Sequence, residues 1–250
     1  MNYVRQEMNG EGKLNFPVLT VLDTTYYKST MLYDWTAGFA DPRRAEEWNK
    51  EGVVVHYTML FNDTKILAAR QFGQWLDEDY YTSPRRMLQP VGIAGNSEEI
   101  RMQIGLAAYL ANVTGRHFMF PNYVRHNCPQ YLGGYKLTAP IMVVDFGSID
   151  AAVPGWVEGT YLQNRERYTR APITTDSVHV DRNLDARQTT LFDLCQNSLT
   201  DLLNVDFTGF DRRKLAEMQE IRDIISQTGV LNCTDCETMA LWSACDYVVC

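Results

Sequence analysis

The sequence predicts an α/β fold built on a mostly parallel, Rossmann-like sheet that is flanked by helices. The main observation is a strand at residues 87–94, a glycine turn, a helix at 98–114 and a second strand at 117–120. Strand, helix and strand in this order form the βαβ unit of a parallel sheet. Two further segments of strand length, an apolar run at 140–146 and a shorter candidate at 176–181, can extend the same sheet. A chain of 250 residues with 45% hydrophobic residues is long enough to bury such a core.

The predicted helix at residues 98–114 is apolar around most of its circumference. Ser97 is the candidate N-cap, and the acids Glu98 and Glu99 complement the helix dipole in the first turn. Gly115 can end the helix in the left-handed conformation. Two apolar stripes recur at helical spacing, namely Ile100, Ile104, Ala107, Ala108 and Ala111, and Met102, Leu106, Leu110 and Val113. A helix with two such stripes is buried on several sides, which is typical of a helix packed against a sheet.

The remaining elements divide the chain into two parts. Four elements are predicted before residue 77, namely strands at 16–22 and 53–58 and helices at 41–50 and 64–76. An acidic turn at 77–79 and a linker at 80–86 follow them. We therefore expect a small α/β unit at residues 1–85 and a larger α/β domain at 86–250. Three further segments are predicted in the larger domain, namely a long loop at 122–138 and helices at 190–203 and 211–227.

Composition excludes some classes of partner. The formal net charge of −8 argues against nucleic acid, because phosphate binding needs a concentrated basic face. No apolar run of about 18 residues is present, so no transmembrane segment is expected in this chain. The first ten residues also lack the apolar core of a signal peptide, so the chain is expected to be cytosolic as written or a piece of a longer protein.

The cysteines favour an oxidising compartment instead. Four of the six cysteines, Cys233, Cys236, Cys245 and Cys250, lie close together at the end of the sequence. We expect at least one disulfide among them if the protein is made in an oxidising compartment, while free thiols remain the alternative. Three glycosylation sequons begin at Asn62, Asn112 and Asn232 and favour a secretory route.

Several residues are candidates for binding chemistry. His56 ends an apolar strand, where a histidine is either a hydrogen-bonded core residue or a ligand. Lys65, Arg70 and Arg101 could receive phosphate together, although each of these residues alone is more often a solvated charge. The turn at Gly95 has the form of a phosphate cradle at a helix start, but the two glutamates that follow would repel an anion. His179 alternates with two valines and points either to solvent or into a cleft.

Two blocks of sequence carry a resemblance to a known family. The first is Val53-Val-Val-His-Tyr-Thr58, followed by Lys65, Arg70, Trp75 and Asp77-Glu-Asp-Tyr-Tyr81. The second runs from Glu99-Ile-Arg-Met-Gln to Gly115-Arg-His-Phe-Met-Phe-Pro121. In order and spacing, both blocks resemble plant and algal arabinosyltransferases, which are nucleotide-diphospho-sugar transferases of glycosyltransferase family seventy-seven. The resemblance covers roughly residues 50–125 and continues faintly to Asp145.

The resemblance implies a glycosyltransferase that moves a sugar from a nucleotide-sugar donor to a glycoprotein or polysaccharide acceptor. It implies that His56 binds a metal, with manganese expected for the full-length enzyme, and that Lys65 reaches the donor diphosphate. Arg70 and Arg101 are further candidates for binding the donor, and the alternative for Arg70 is to orient the acceptor or to pair with a carboxylate. It also implies a Golgi lumen or secretory location for a longer protein. The unit at 1–85 is then the tail of a nucleotide-sugar domain.

One departure from the family leaves alternatives open. The family carries an Asp-x-Asp metal motif upstream of the histidine strand, and residues 1–50 contain no counterpart. The chain therefore resembles a C-terminal portion of such an enzyme. The second block is also similar to the first βαβ unit of protein O-fucosyltransferases. A non-catalytic accessory or stalk domain is the alternative from another class.

Overall fold

The computed structural model describes residues 27–29, 54–56, 62–71, 73, 75–127, 135–138, 140, 143–144, 149–151, 153, 155–180, 189–211, 214 and 219–226. Its strands are β1 (Tyr27–Ser29), β2 (Val54–His56), β3 (Met87–Val91), β4 (Ala94–Gly95), β5 (His117–Phe118), β6 (Val124–Asn127), β7 (Tyr135–Thr138), β8 (Thr175–His179) and β9 (Leu202–Asp206). Its helices are α1 (Asn62–Gln71), α2 (Glu78–Thr82), α3 (Ser97–Val113), α4 (Tyr161–Arg165), α5 (Thr189–Asn197) and α6 (Gln219–Ser226).

A four-stranded sheet with the order β5-β3-β9-β8 is the centre of the fold, and all its strands are parallel. Two βαβ units build it, β3-α3-β5 and β8-α5-β9. The predicted fold class, an α/β protein with a parallel Rossmann-like sheet flanked by helices, is therefore confirmed. β1 and β2 form a separate parallel pair, and β4, β6 and β7 form a small mixed sheet. No helix in the described ranges is long and apolar enough to cross a membrane.

Helix α3 has the predicted burial and the predicted end, but a different cap. Asn96, rather than Ser97, is the N-cap, and it forms a capping box with Glu99. Gly115 follows the helix with a φ of +63°, which a residue with a side chain rarely adopts. Buried residues of α3 include Ile100, Met102, Ile104, Leu106, Ala107, Ala108, Leu110 and Ala111. Both predicted stripes therefore lie in the core, except that Val113 at the end of the second stripe is only half-buried.

Strand β3 continues through Pro90, although proline has no N–H group to donate to a sheet ladder. Leu88 O accepts a hydrogen bond from Met119 N–H on the β5 side, whereas Val91 O accepts from Phe207 N–H on the β9 side. Because successive residues of a strand direct their backbone groups to opposite neighbours, Pro90 faces the β5 side. β5 pairs only with Met87 and Leu88. The missing N–H of Pro90 therefore costs no hydrogen bond in the central ladder with β9.

Side chains from the two sheet faces enter two cores. Leu88, Phe118 and Leu203 lie with α3 in the larger core. Met87, Met119 and Leu202 point to the opposite face. There they meet Tyr80, Tyr81, Tyr161 and Tyr168, which we call the tyrosine cluster. Tyr80 and Tyr81 come from the predicted linker and are buried, while the division into two domains stays a prediction.

Three expectations for the larger domain were wrong. Val143 and Val144 do not lie in a strand, because their N–H groups donate to Pro140 O and form a buried turn. The predicted helix at 190–203 ends at Asn197, and Leu202 begins the central strand β9. The predicted loop at 122–138 contains strands β6 and β7. The predicted strand at 16–22, the helix at 41–50 and the disulfide cluster lie outside the described residues.

Cys195 is expected to resist alkylation in the native protein. Its side chain is buried on α5, and this burial raises the pKa of the thiol to about 11. The reactive thiolate is therefore scarce at pH 8, and the reagent has no access to it. Site-resolved mass spectrometry after iodoacetamide treatment should find Cys195 unmodified in buffer and modified in denaturant. Full labelling of Cys195 in buffer at pH 8 would contradict the placement of α5.

Candidate functional site

One half of one sheet face is polar, although a parallel sheet is usually covered by apolar contacts on both faces. On the face that carries Met87 and Leu202, the alternate positions nearer the carboxyl ends of the strands hold polar residues, with the exception of Val91 on β3. We call this group the polar strip, and its members are Gln89, Ser177, His179, Asn204 and Asp206. Ligands of open α/β sheets bind beyond the carboxyl ends of the strands. The polar strip is therefore our candidate site.

The register of the sheet arranges the polar strip in two rows. Gln89, Asn204 and Ser177 occupy matching positions on β3, β9 and β8, and Asn204 Nδ2 lies 3.5 Å from Ser177 Oγ. Asp206 and His179 form the next row toward the carboxyl ends. Adjacent strands are separated by roughly 4.8 Å, so each row presents hydrogen-bonding groups at regular spacing. Amide, hydroxyl and carboxylate groups together offer both donors and acceptors to a ligand.

His179 and Asp206 form the only titratable pair within the polar strip as defined. His179 Nδ1 lies 2.9 Å from Asp206 Oδ2, and the two side chains are 43% and 17% exposed. Asp206 Oδ1 accepts a hydrogen bond of 2.8 Å from Thr208 N–H. Each of the two carboxylate oxygens therefore has its own partner, His179 or Thr208. A carboxylate at Nδ1 favours the tautomer in which Nε2 is the basic nitrogen. The pair can therefore accept a proton from a bound hydroxyl group.

A glycine allows the loops that follow β3 and β9 to meet at this edge. Gly92 has a φ of +72°, and a Cβ at this position would lie 2.7 Å from Thr208 N. A side chain would therefore be strained and would also separate the two loops. The close approach keeps Thr208 beside Asp206, to which its N–H donates.

The start of α3 satisfies its own backbone groups. Asn96 Oδ1 accepts from Glu99 N–H, and Glu99 Oε2 accepts from Asn96 N–H, both at 2.9 Å. Glu98 pairs with Arg222 of α6. Ser97 Oγ lies 3.1 Å from Nε2 of the buried His126. An arrangement with two carboxylates in the first turn does not favour a phosphate in the Gly95 turn.

The structure places the four predicted site residues on three elements. His56 ends β2 and Lys65 lies in α1, and their side chains fall outside the described part of the chain. Arg101 is half-buried on α3. The Arg70 guanidinium lies 4.0 Å from the Tyr80 ring centroid and 5.0 Å from those of Trp75 and Trp156. The ligand roles of these residues stay predictions.

A manganese ion requires several oxygen or nitrogen ligands around one point. His179 and Asp206 offer two such groups. In the part of the chain that the structure describes, no three His, Cys, Asp or Glu side chains form a group that could hold a metal ion. The described residues therefore do not form a complete manganese site, and manganese binding stays a prediction.

Sequence reasoning missed most of the polar strip. It identified His179 but not Asp206 or Asn204, because β9 was interpreted as the end of a helix and the loop after it. The alternation Leu203-Asn-Val-Asp206 was the available signal, since period two is typical of a strand. Ser177 and Gln89 become notable only through their register with Asn204.

Comparison with known proteins identifies no relative. No family model, no curated protein and no solved structure matches this chain.

Proposed function

We propose that this chain is part of a glycosyltransferase that moves a sugar from a nucleotide-sugar donor to a glycan or glycoprotein acceptor. The observation that carries the proposal is the polar strip, which lies where ligands of parallel sheets bind. Sugar hydroxyl groups both donate and accept hydrogen bonds, as do the amides and hydroxyl of this strip. The resemblance of the sequence to arabinosyltransferases supports the same reaction class.

The transfer step assigns a role to the His179–Asp206 pair. An acceptor hydroxyl attacks the anomeric carbon of the donor sugar and gives its proton to His179 Nε2. The bond from the anomeric carbon to the phosphate oxygen breaks, and its electron pair leaves with the nucleoside diphosphate. Asp206 orients the imidazole and stabilises the imidazolium that forms. Asn204, Gln89 and Ser177 hold the hydroxyl groups of the sugar or acceptor.

The donor diphosphate is assigned to Lys65, Arg70 and Arg101, with His56 as the metal ligand of the full-length enzyme. The proposal places the enzyme in the Golgi lumen or elsewhere in the secretory pathway. An O-fucosyltransferase-like enzyme would use the same strip with a different donor sugar.

His179→Gln is expected to reduce transfer by about a hundredfold or more through kcat, because it removes the proton acceptor. Asn204→Ala is expected to raise the acceptor KM by about tenfold, because it removes a hydrogen bond to the bound sugar. The assay incubates the purified chain with a panel of nucleotide sugars and with oligosaccharide or glycopeptide acceptors. Mass spectrometry then quantifies the glycosylated product.

His117→Gln is the matched control, since His117 lies on the same sheet face but its ring contacts the Gly155 carbonyl outside the polar strip. This variant should retain wild-type turnover. If wild-type protein transfers no sugar from any donor, this chain does not carry the transfer site, and the role proposed for the His179–Asp206 pair is wrong. Glycan binding without turnover would favour the accessory-domain alternative, and an unchanged rate in His179→Gln would exclude His179 as the base.

A further inference from the structure

Two arginines contact the ring of one tyrosine beside the sheet. The guanidinium carbon of Arg70 lies 4.0 Å from the Tyr80 ring centroid, and that of Arg85 lies 4.5 Å from it. Arg70 comes from α1, and Arg85 follows α2. Arg85 also lies 5.7 Å from the ring centroid of Tyr161. Cation–π contacts hold both guanidinium groups in place but do not neutralise their charge.

The buried carboxylate beside Tyr80 already has other partners. Glu158 is fully buried and accepts hydrogen bonds from Tyr80 Oη at 2.7 Å and from Tyr81 Oη at 3.1 Å. Within the described ranges, neither Arg70 nor Arg85 forms an ion pair with any carboxylate. Two positive charges therefore share one aromatic ring, and no carboxylate among the described residues pairs with either of them.

Three hydrogen-bond donors in this cluster are also buried without an acceptor. Among the residues that the structure describes, Arg70 Nε, Arg85 Nε and Trp75 Nε1 have no hydrogen-bond partner. Trp75 belongs to the same group, because the Arg70 guanidinium lies 5.0 Å from its ring centroid. Buried donors normally have a partner, so three of them in one place make this cluster a candidate position for an acceptor-rich group.

We propose that Arg70 and Arg85 bind an oxyanion of the phosphoryl type, such as the diphosphate of the nucleotide-sugar donor. The arginine fork matches phosphoryl oxygens in two-pronged geometry, and the indole N–H of Trp75 adds a third donor. Arg85 joins the site without having been among the predicted residues. The identity of the ligand as a donor diphosphate rests on the proposed function.

The acidic turn beside this site limits how strong the attraction can be. Asp77, Glu78 and Asp79 are exposed at the start of α2, and Asp77 Oδ1 accepts from Tyr80 N–H. Solvent and salt screen charges at such exposed positions. The half-buried guanidinium groups interact with a ligand in a drier environment, where each charge is screened less.

Isothermal titration of the full chain with inorganic pyrophosphate tests this site without sugar transfer. Arg70→Gln and Arg85→Gln are each expected to weaken binding by about tenfold or more. Arg165→Gln is the matched control, because it removes the same charge from α4, where Arg165 donates to Ala171 O. It should bind pyrophosphate within about twofold of wild type. Circular dichroism melting of every variant distinguishes lost binding from lost folding.

Separate titrations distinguish the sources of the anion. A nucleoside diphosphate should bind at least as tightly as pyrophosphate and should lose affinity in the same two variants. Glucuronate binding without pyrophosphate binding would overturn the phosphoryl assignment in favour of a sugar carboxylate. Absence of pyrophosphate binding to wild type, or equal losses in Arg165→Gln, would reject the site. Pyrophosphate binding that depends on both arginines, in a chain that transfers no sugar, would retain this site and reject the proposed function alone.

Discussion

Glu158→Leu is expected to lower the free energy of unfolding by about 4 kcal/mol. The carboxylate is fully buried and accepts from Tyr80 Oη, Tyr81 Oη and, at 3.4 Å, from Asn164 Nδ2. Leucine accepts none of these bonds, so two phenol groups and one amide lose a buried acceptor. Each orphaned buried donor costs about 1–3 kcal/mol. Urea unfolding followed by circular dichroism measures the change.

Two further variants test the cause of this loss. Glu158→Gln retains one acceptor oxygen and should cost about 1–2 kcal/mol, because the new amide can still bond to a phenol. Glu166→Leu removes a carboxylate from an exposed position just after α4 and should change stability by less than about 0.5 kcal/mol. A loss below about 1 kcal/mol in Glu158→Leu would show that the tyrosine hydroxyl groups do not depend on this carboxylate.

Arg116→Met is expected to lower the free energy of unfolding by about 3 kcal/mol. The Arg116 side chain is buried where β3 and β9 begin, and burial lowers the pKa of its guanidinium, with repulsion from Arg86 adding to this effect. Nη1 donates to Thr200 O at 2.9 Å and to Met87 O at 3.2 Å, and Nη2 donates to Ser198 O at 2.7 Å. Methionine fills the space of the stem but leaves these carbonyl groups without this donor.

Arg86→Met is the control for this variant, because Arg86 donates to the same Ser198 carbonyl from an exposed position. An exposed hydrogen bond exchanges with water at little cost, so we expect a loss below about 1 kcal/mol. Thermal and urea unfolding of both variants give the comparison. Equal losses in the two variants would mean that burial of Arg116 does not determine its contribution.

The polar strip illustrates how the candidate site depends on long-range contacts. The sequence identifies His179 as a polar residue among valines, but nothing local indicates that Asp206 lies 2.9 Å from it. The pair forms only because β8 and β9 are parallel neighbours in register. Similarly, Arg85 is an ordinary charge in the sequence and becomes notable through its contact with Tyr80.

The β3-α3-β5 unit was predictable because its signals are local. The apolar stripes of α3, the end of the helix at Gly115 and the strands on either side can all be read within about 35 residues, and α3 is long enough for its period to be clear. The parallel pairing of β3 with β5 then follows from the preferred handedness and length of βαβ connections.

Tertiary contacts decided whether the shorter apolar runs form strands or turns. Leu202–Asp206 is a strand because β3 and β8 pair with its two sides. Val143 and Val144, which lie in the apolar run at 140–146, form a turn instead. A run of five residues is compatible with either conformation, since its own preference is smaller than the free energy of pairing and burial. The sequence by itself determined the fold class and its first βαβ unit. Only the tertiary structure decided which strand fills the centre of the sheet and which polar residues meet at its edge.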